Sequence, residues 1–97
     1  MFTIVLTHNP DAVMGLGSSR VDLVVCGHTH GGQIVPPFMP AITTSTRYPL
    51  PRPSGLMHIA ERLTFITRGV GTVGIPLRIN APAEAPVLSL VRPGSAA

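Results

Sequence analysis

Ninety-seven residues are expected to make one domain rather than a multi-domain enzyme, and a chain this short buries only roughly 60–65% of the surface its unfolded form exposes. Charged residues are 11% of the chain against 44% hydrophobic, where ordinary domains carry about 25% charge, so part of the apolar surface is expected to be covered by another protein surface. The net charge of +3 comes from seven arginines and four acids; the arginines stand apart rather than in a cluster, with few aromatics between them, which argues against a nucleic-acid reader.

Phe2 to Thr7 is an apolar, β-rich run that begins almost at the first residue, so the fold is expected to start on a strand with no preceding layer. Asn9-Pro10-Asp11 follows as a turn, and either Asn9 or Asp11 can cap a short helix over Ala12 to Leu16, which the glycines at 15 and 17 end quickly. Val21 to Cys26 is a second strand, apolar apart from Asp22, and such a run suits a strand covered on both faces. Pro36 to Pro53 holds six of the eleven prolines, so this stretch, extending to about residue 55, is expected to be a long loop. Leu56 to Ala60 and Leu63 to Thr67 flank Glu61-Arg62 as a hairpin, Leu77 to Ile79 and Val87 to Val91 are the last strand candidates, and residues 93–97 form a flexible tail after a single domain over 1–92. Cys26 stands alone, so no intrachain disulfide is available and the default location is cytoplasmic. Neither a targeting signal nor an apolar run near the roughly 18 residues of a membrane span is present, and no membrane partner is expected.

Gly27-His28-Thr29-His30-Gly31-Gly32-Gln33 comes directly off the second strand, at the rim where open sheets place their ligands. In an extended segment residues i and i+2 point to one side, so His28 and His30 are expected to converge. His8 sits at the matching end of the first strand, and if the two strands are parallel neighbours all three imidazoles reach one rim. Imidazole is a common ligand for transition metals. An isolated His-Thr-His is otherwise an ordinary surface loop, and His8 an ordinary turn residue.

Taken together, Thr7-His8-Asn9-Pro10-Asp11 and Gly27 to Gln33 resemble the HNPD and GHTHGGQ motifs of the calcineurin-like metallophosphoesterases. Thr67-Arg68-Gly69-Val70-Gly71-Thr72 is similar to the SRGLGT segment of that branch, and Pro82-Ala83-Glu84 to its PPE. The resemblance implies an α+β fold, the β-rich half of a metallophosphoesterase sandwich with one short helix and long loops. It implies hydrolysis of a phosphomonoester or phosphodiester by metal-activated water. His8 and His28 would serve one divalent transition-metal ion and His30 a second, the metal being Mn, Zn, Fe or Ni, with His28 and His30 in the catalytic centre. The DxH, bridging Asp, Asn and GNH ligands of the family's N-terminal half have no match among Asp11, Asp22, Glu61 and Glu84 or elsewhere. The chain is therefore expected to correspond to a C-terminal half, its site completed by self-association as a twofold dimer or a multiple of one. Two alternatives stand beside this: an inactive metal-binding remnant or interaction module, and a fragment needing a separate N-terminal half.

The other polar residues are less specific. Gln33 can orient a ligand or phosphate oxygen, and Arg68, like Arg47 and Arg52, can fork onto a phosphoryl group. His58, within the hairpin, is a possible outer participant or simply a satisfied strand residue. Asp11 reads as a turn or cap, Asp22 as an ion-paired position, and Cys26 as a buried thiol rather than a soft-metal ligand.

Overall fold

Two apolar runs and a hairpin build one mixed sheet. In the computed structural model, which describes residues 1–35, 37, 45–74 and 77–92, β1 (Ile4–Leu6), β2 (Leu23–Cys26), β3 (Gly55–Ile59) and β4 (Arg62–Ile66) lie in the order β1-β2-β4-β3. β1 and β4 both run parallel to β2, and β3 returns antiparallel along β4. The three parallel strands thus end on one rim. The ladder continues past their ends: the Gly27 amide donates to His8 O (3.0 Å) and the Thr67 amide to Cys26 O (2.9 Å).

Register decides which side chains share a face. Val5, Val24, Thr64 and Met57 stand in one row, and Cys26 beside Ile66 in the next. This face carries the core: Val24, Cys26, Met57, Ile59 and Ile66 are buried together with Val13, and Leu16, Val21 and Leu50 pack around them. Alternation sends Ile4, Leu6, Leu23, Val25, Leu63, Phe65 and Leu56 to the opposite face. There residues 87–92 line, together with Phe2, Leu23, Leu56 and Leu63, an open groove of about 670 Å³.

Several sequence expectations change. The short helix is a 3-10 helix, Pro10–Gly15, and among the described residues there is no α-helix; six residues are too few to offset the cost of nucleating an α-helix in isolation. Asn9 is its cap, accepting from the Asp11 amide at 2.9 Å. The hairpin turn is Ala60-Glu61, one residue earlier than expected, because the Ile59–Arg62 pair already closes the ladder. Both turn residues have positive φ, 49° and 64°, as tight two-residue hairpins require. Val87 to Val91 is not a strand; it lines the groove on the outer face of the sheet and pairs along no edge. Of Leu77 to Ile79, only Ile79 bridges, parallel to Ile34. The expected long loop falls in part, at 36 and 38–44, outside the described residues, as does the expected tail at 93–97.

Asp22 ties β1 to β2 at their starts. Its Oδ2 accepts from the Thr3 amide at 2.7 Å, and Arg20 approaches Oδ1 at 3.5 Å. The Thr3 amide holds its carboxyl below the ordinary 3.8 against the opposing effect of burial, with smaller help from Arg20. A carboxyl depressed in the folded state contributes stability that is present above its unfolded value and lost as pH falls through its folded value. Acid titration of the urea midpoint is therefore expected to reveal a loss of stability below about pH 3.8 that Asp22→Asn removes. Identical acid profiles for the two chains would contradict this.

Candidate metal centre

The rim at the C-terminal ends of β1, β2 and β4 gathers His8, the 27–33 loop and Arg68. His8 follows β1 and His28 follows β2, and the Gly27–His8 backbone bond holds the two segments side by side. Their rings meet edge to face, with centroids 4.8 Å apart and planes at 73°. His28 Nδ1 lies 3.0 Å from His8 Nε2. On its far side His28 Nε2 lies 2.8 Å from Ser45 O. A carbonyl only accepts, so in the neutral ring that Nε2 carries the proton and Nδ1 turns its lone pair toward His8.

His30 goes elsewhere. The expectation that His28 and His30 project to one side rested on an extended segment, and the segment is coiled: His28, His30 and Gln33 have φ of 73°, 53° and 52°, with Gly31 and Gly32 also positive. His30 Nδ1 lies 3.2 Å from Gly71 O, which by the same argument places the proton on Nδ1 and leaves Nε2 as the electron-pair donor. The structure brings two of the three histidines together and turns the third toward the 69–73 loop. Among the described residues no group of three or more His, Cys, Asp or Glu side chains is arranged to hold a metal ion.

The rest of the rim is held by side chains acting on backbone. Thr29, buried, donates from Oγ1 to Pro53 O (2.6 Å) and accepts from the Gly31 amide (3.2 Å). Gln33 accepts from the Val73 amide at 2.7 Å and donates to Val73 O at 3.1 Å. Arg68 donates from Nε to Pro82 O (2.6 Å) and pairs with Glu84 at 3.1 Å. Asp11 accepts from the amides of Arg47 and Tyr48, at 2.7 and 3.1 Å, and so anchors the loop that presents Ser45 O to His28. His58 is paired with Leu63, three residues from the Gly55–Ile66 pair at the rim end of the hairpin, or about 10 Å along the strand. The structure keeps it away from His8 and His28. Burial pushes the Cys26 thiol up to about 11, and Cys26 sits in the core with Sγ 3.7 Å from Phe65 O, as a buried thiol does.

Sequence comparison gives this rim its context. Over 93 residues the chain is 42% identical to the phosphodiesterase YaeI of Escherichia coli, covering 91% of this chain and 32% of that protein. Over 90 residues it is 37% identical to the metallophosphoesterase YkuE of Bacillus subtilis, covering 93% of this chain and 31% of that protein. A third relative, at 36% over 84 residues, is a transmembrane protein with a metallophosphoesterase domain from Danio rerio, of which 18% is covered. What the chain matches, at 37–42% identity over about nine-tenths of its length, is one stretch of proteins named metallophosphoesterase or phosphodiesterase. It spans about a third of the length of the first two relatives. No family model matches it, and no solved structure does. Among the described residues no helix is long and apolar enough to cross a membrane.

A metallophosphoesterase depends in general on divalent metal, and the His8–His28 pair fits one. Nitrogens bound to one ion at about 2.0–2.1 Å each stand roughly 3 Å apart when the angle between them is 90–110°, and the observed separation is 3.0 Å. In the metal-free pair His8 Nε2 donates to His28 Nδ1, so His8 would give up that proton to bind an ion, and the Ser45 carbonyl falls on the His28 nitrogen not needed. Thr29 and Asp11, which help hold this geometry, lie within the motifs, whereas Ser45, in the proline-rich stretch, carried no sequence signal.

Proposed function

We propose that this chain carries part of the centre of a metal-dependent phosphoesterase, with His8 and His28 holding one divalent transition-metal ion and His30 a second. The observation that supports it best is the 3.0 Å approach of His8 Nε2 and His28 Nδ1 at the carboxyl ends of parallel strands. When bound, such ions activate water and neutralise charge on the phosphoryl oxygens. The chain's own part is to fix the ligand nitrogens: Ser45 O keeps the His28 proton on Nε2, and Gly71 O keeps the His30 proton on Nδ1. Gln33 and Arg68, both committed to neighbouring backbone or to Glu84, shape the rim that a phosphoester approaches.

Three imidazoles fall short of the four to six ligands such an ion normally takes with water included. In this reading a second copy completes the centre, as a twofold dimer or a multiple of it. The exposed Ile4, Leu6 and Leu56 on the outer sheet face favour a covering partner. A second reading, that a separate polypeptide supplies the missing ligands, is favoured by the relatives, which extend over about three times the matched length.

Chain mixing separates the two. The purified chain, with Mn²⁺ or Zn²⁺, is expected to hydrolyse nitrophenyl phosphoesters slowly, and His8→Ala and His30→Ala chains, each inactive alone, are expected to regain activity when co-refolded. Hydrolysis confined to a monomer fraction overturns the shared site. No metal binding and no hydrolysis with any divalent metal would leave an inactive interaction module.

A further inference from the structure

Arg78 lies outside every motif, yet its guanidinium sits where the two rim loops meet. Nη1 donates to His30 O (3.0 Å) and Ala81 O (2.8 Å). Nη2 donates to Arg68 O (2.9 Å), Gly69 O (3.3 Å) and Gly71 O. Among the described residues no carboxylate pairs with it, since Glu84 is taken by Arg68, and its buried Nε has no partner. Carbonyl dipoles alone offset the charge.

Two of those carbonyls matter for His30. One is its own, which fixes the backbone of a residue held at positive φ. The other is Gly71 O, the acceptor facing His30 Nδ1. An arginine fork is permanently charged and planar, so it can hold several acceptors in one fixed geometry, which a lysine ammonium cannot. We infer that Arg78 is a positioning residue that clamps the His30 and Gly71 carbonyls together and so sets the orientation and tautomer of the His30 imidazole. The inference rests on the metal-hydrolase reading for its purpose, though not for its structural content. Partners that orient a ligating histidine typically change metal affinity 10- to 100-fold when removed.

The test uses the full chain, isotopically labelled, first without metal and then titrated with Zn²⁺. In the unsubstituted chain, imidazole nitrogen shifts are expected to place the His30 proton on Nδ1. In Arg78→Met they are expected to move toward the Nε2–H form that an unconstrained ring prefers, with amide signals of residues 55–66 unchanged and Zn²⁺ affinity about 10- to 100-fold lower. Arg78→Lys keeps the charge but not the fork and is expected to show the same tautomer change. An unchanged His30 tautomer in either folded variant overturns the inference. Loss of the sheet signals in both variants also overturns it, because Arg78 would then be a folding residue. If the unsubstituted chain binds no Zn²⁺, the metal-hydrolase reading fails while the tautomer measurement still decides the role of Arg78.

Discussion

Replacing His28 with alanine is expected to weaken divalent-metal binding by about 100-fold or more, since even the supporting partners of a ligating histidine are worth 10- to 100-fold. His8→Ala should cost a similar amount, and the double variant little beyond either single one, because the two nitrogens stand 3.0 Å apart, close enough to share one ion. Residues that share one partner are not additive. His58→Ala is the control. That histidine is exposed and paired with Leu63, toward the opposite end of the hairpin, so its loss should leave affinity unchanged. Calorimetric titration of the metal-free chains with Zn²⁺ or Mn²⁺ measures all four. Wild-type affinity in His28→Ala would remove His28 from the centre, and an equal loss in His58→Ala would mean that the metal is held by scattered surface imidazoles.

The contrast between His28 and His58 also marks how far the sequence could be read. The meeting of His8 with His28 needs β1 and β2 to be parallel neighbours, which two apolar runs joined by a short helical crossover allow and the structure shows. The meeting needs only that strand ends coincide. The fate of His30 depends on backbone angles that no side-chain pattern announces: Thr29 is held by Pro53 O and Gly31, and the loop coils through a series of positive φ values. An extended reading of His-Thr-His therefore places both rings on one side when they diverge. Arg78 was invisible for a related reason. A single arginine among apolar residues has no period and no motif, and its role exists only once Arg68, Gly69 and Gly71 fold back toward it. Val87 to Val91 failed differently, since an apolar run reads as a strand whether it pairs along an edge or lines a groove.

Gly31 joins the fold to the site, and Gly31→Ala is expected to destabilise the chain by about 2–4 kcal/mol. Two effects add. At φ of 63° an alanine is strained, by about 1–2 kcal/mol. Its Cβ would also stand 2.5 Å from Arg68 Cγ, 2.8 Å from Arg68 Cδ and 3.3 Å from Ala81 Cβ. A free arginine would swing away at little cost, but Arg68 is tied at its head to Pro82 O and Glu84. Moving it gives up a hydrogen bond and a half-exposed ion pair, together about 1–2 kcal/mol. Gly17 isolates the first effect, because it has φ of 61° with nothing near its added Cβ, so Gly17→Ala should cost only about 1–2 kcal/mol. Urea unfolding of both variants gives the difference, which is the steric share. The same displacement acts on the rim, because Gly31 follows His30 directly and the Arg68 carbonyl is one of the acceptors of Arg78. Gly31→Ala should therefore lower metal affinity while Gly17→Ala leaves it unchanged; equal unfolding costs for the two would mean that Arg68 yields freely and that Gly31 serves only its own backbone angle.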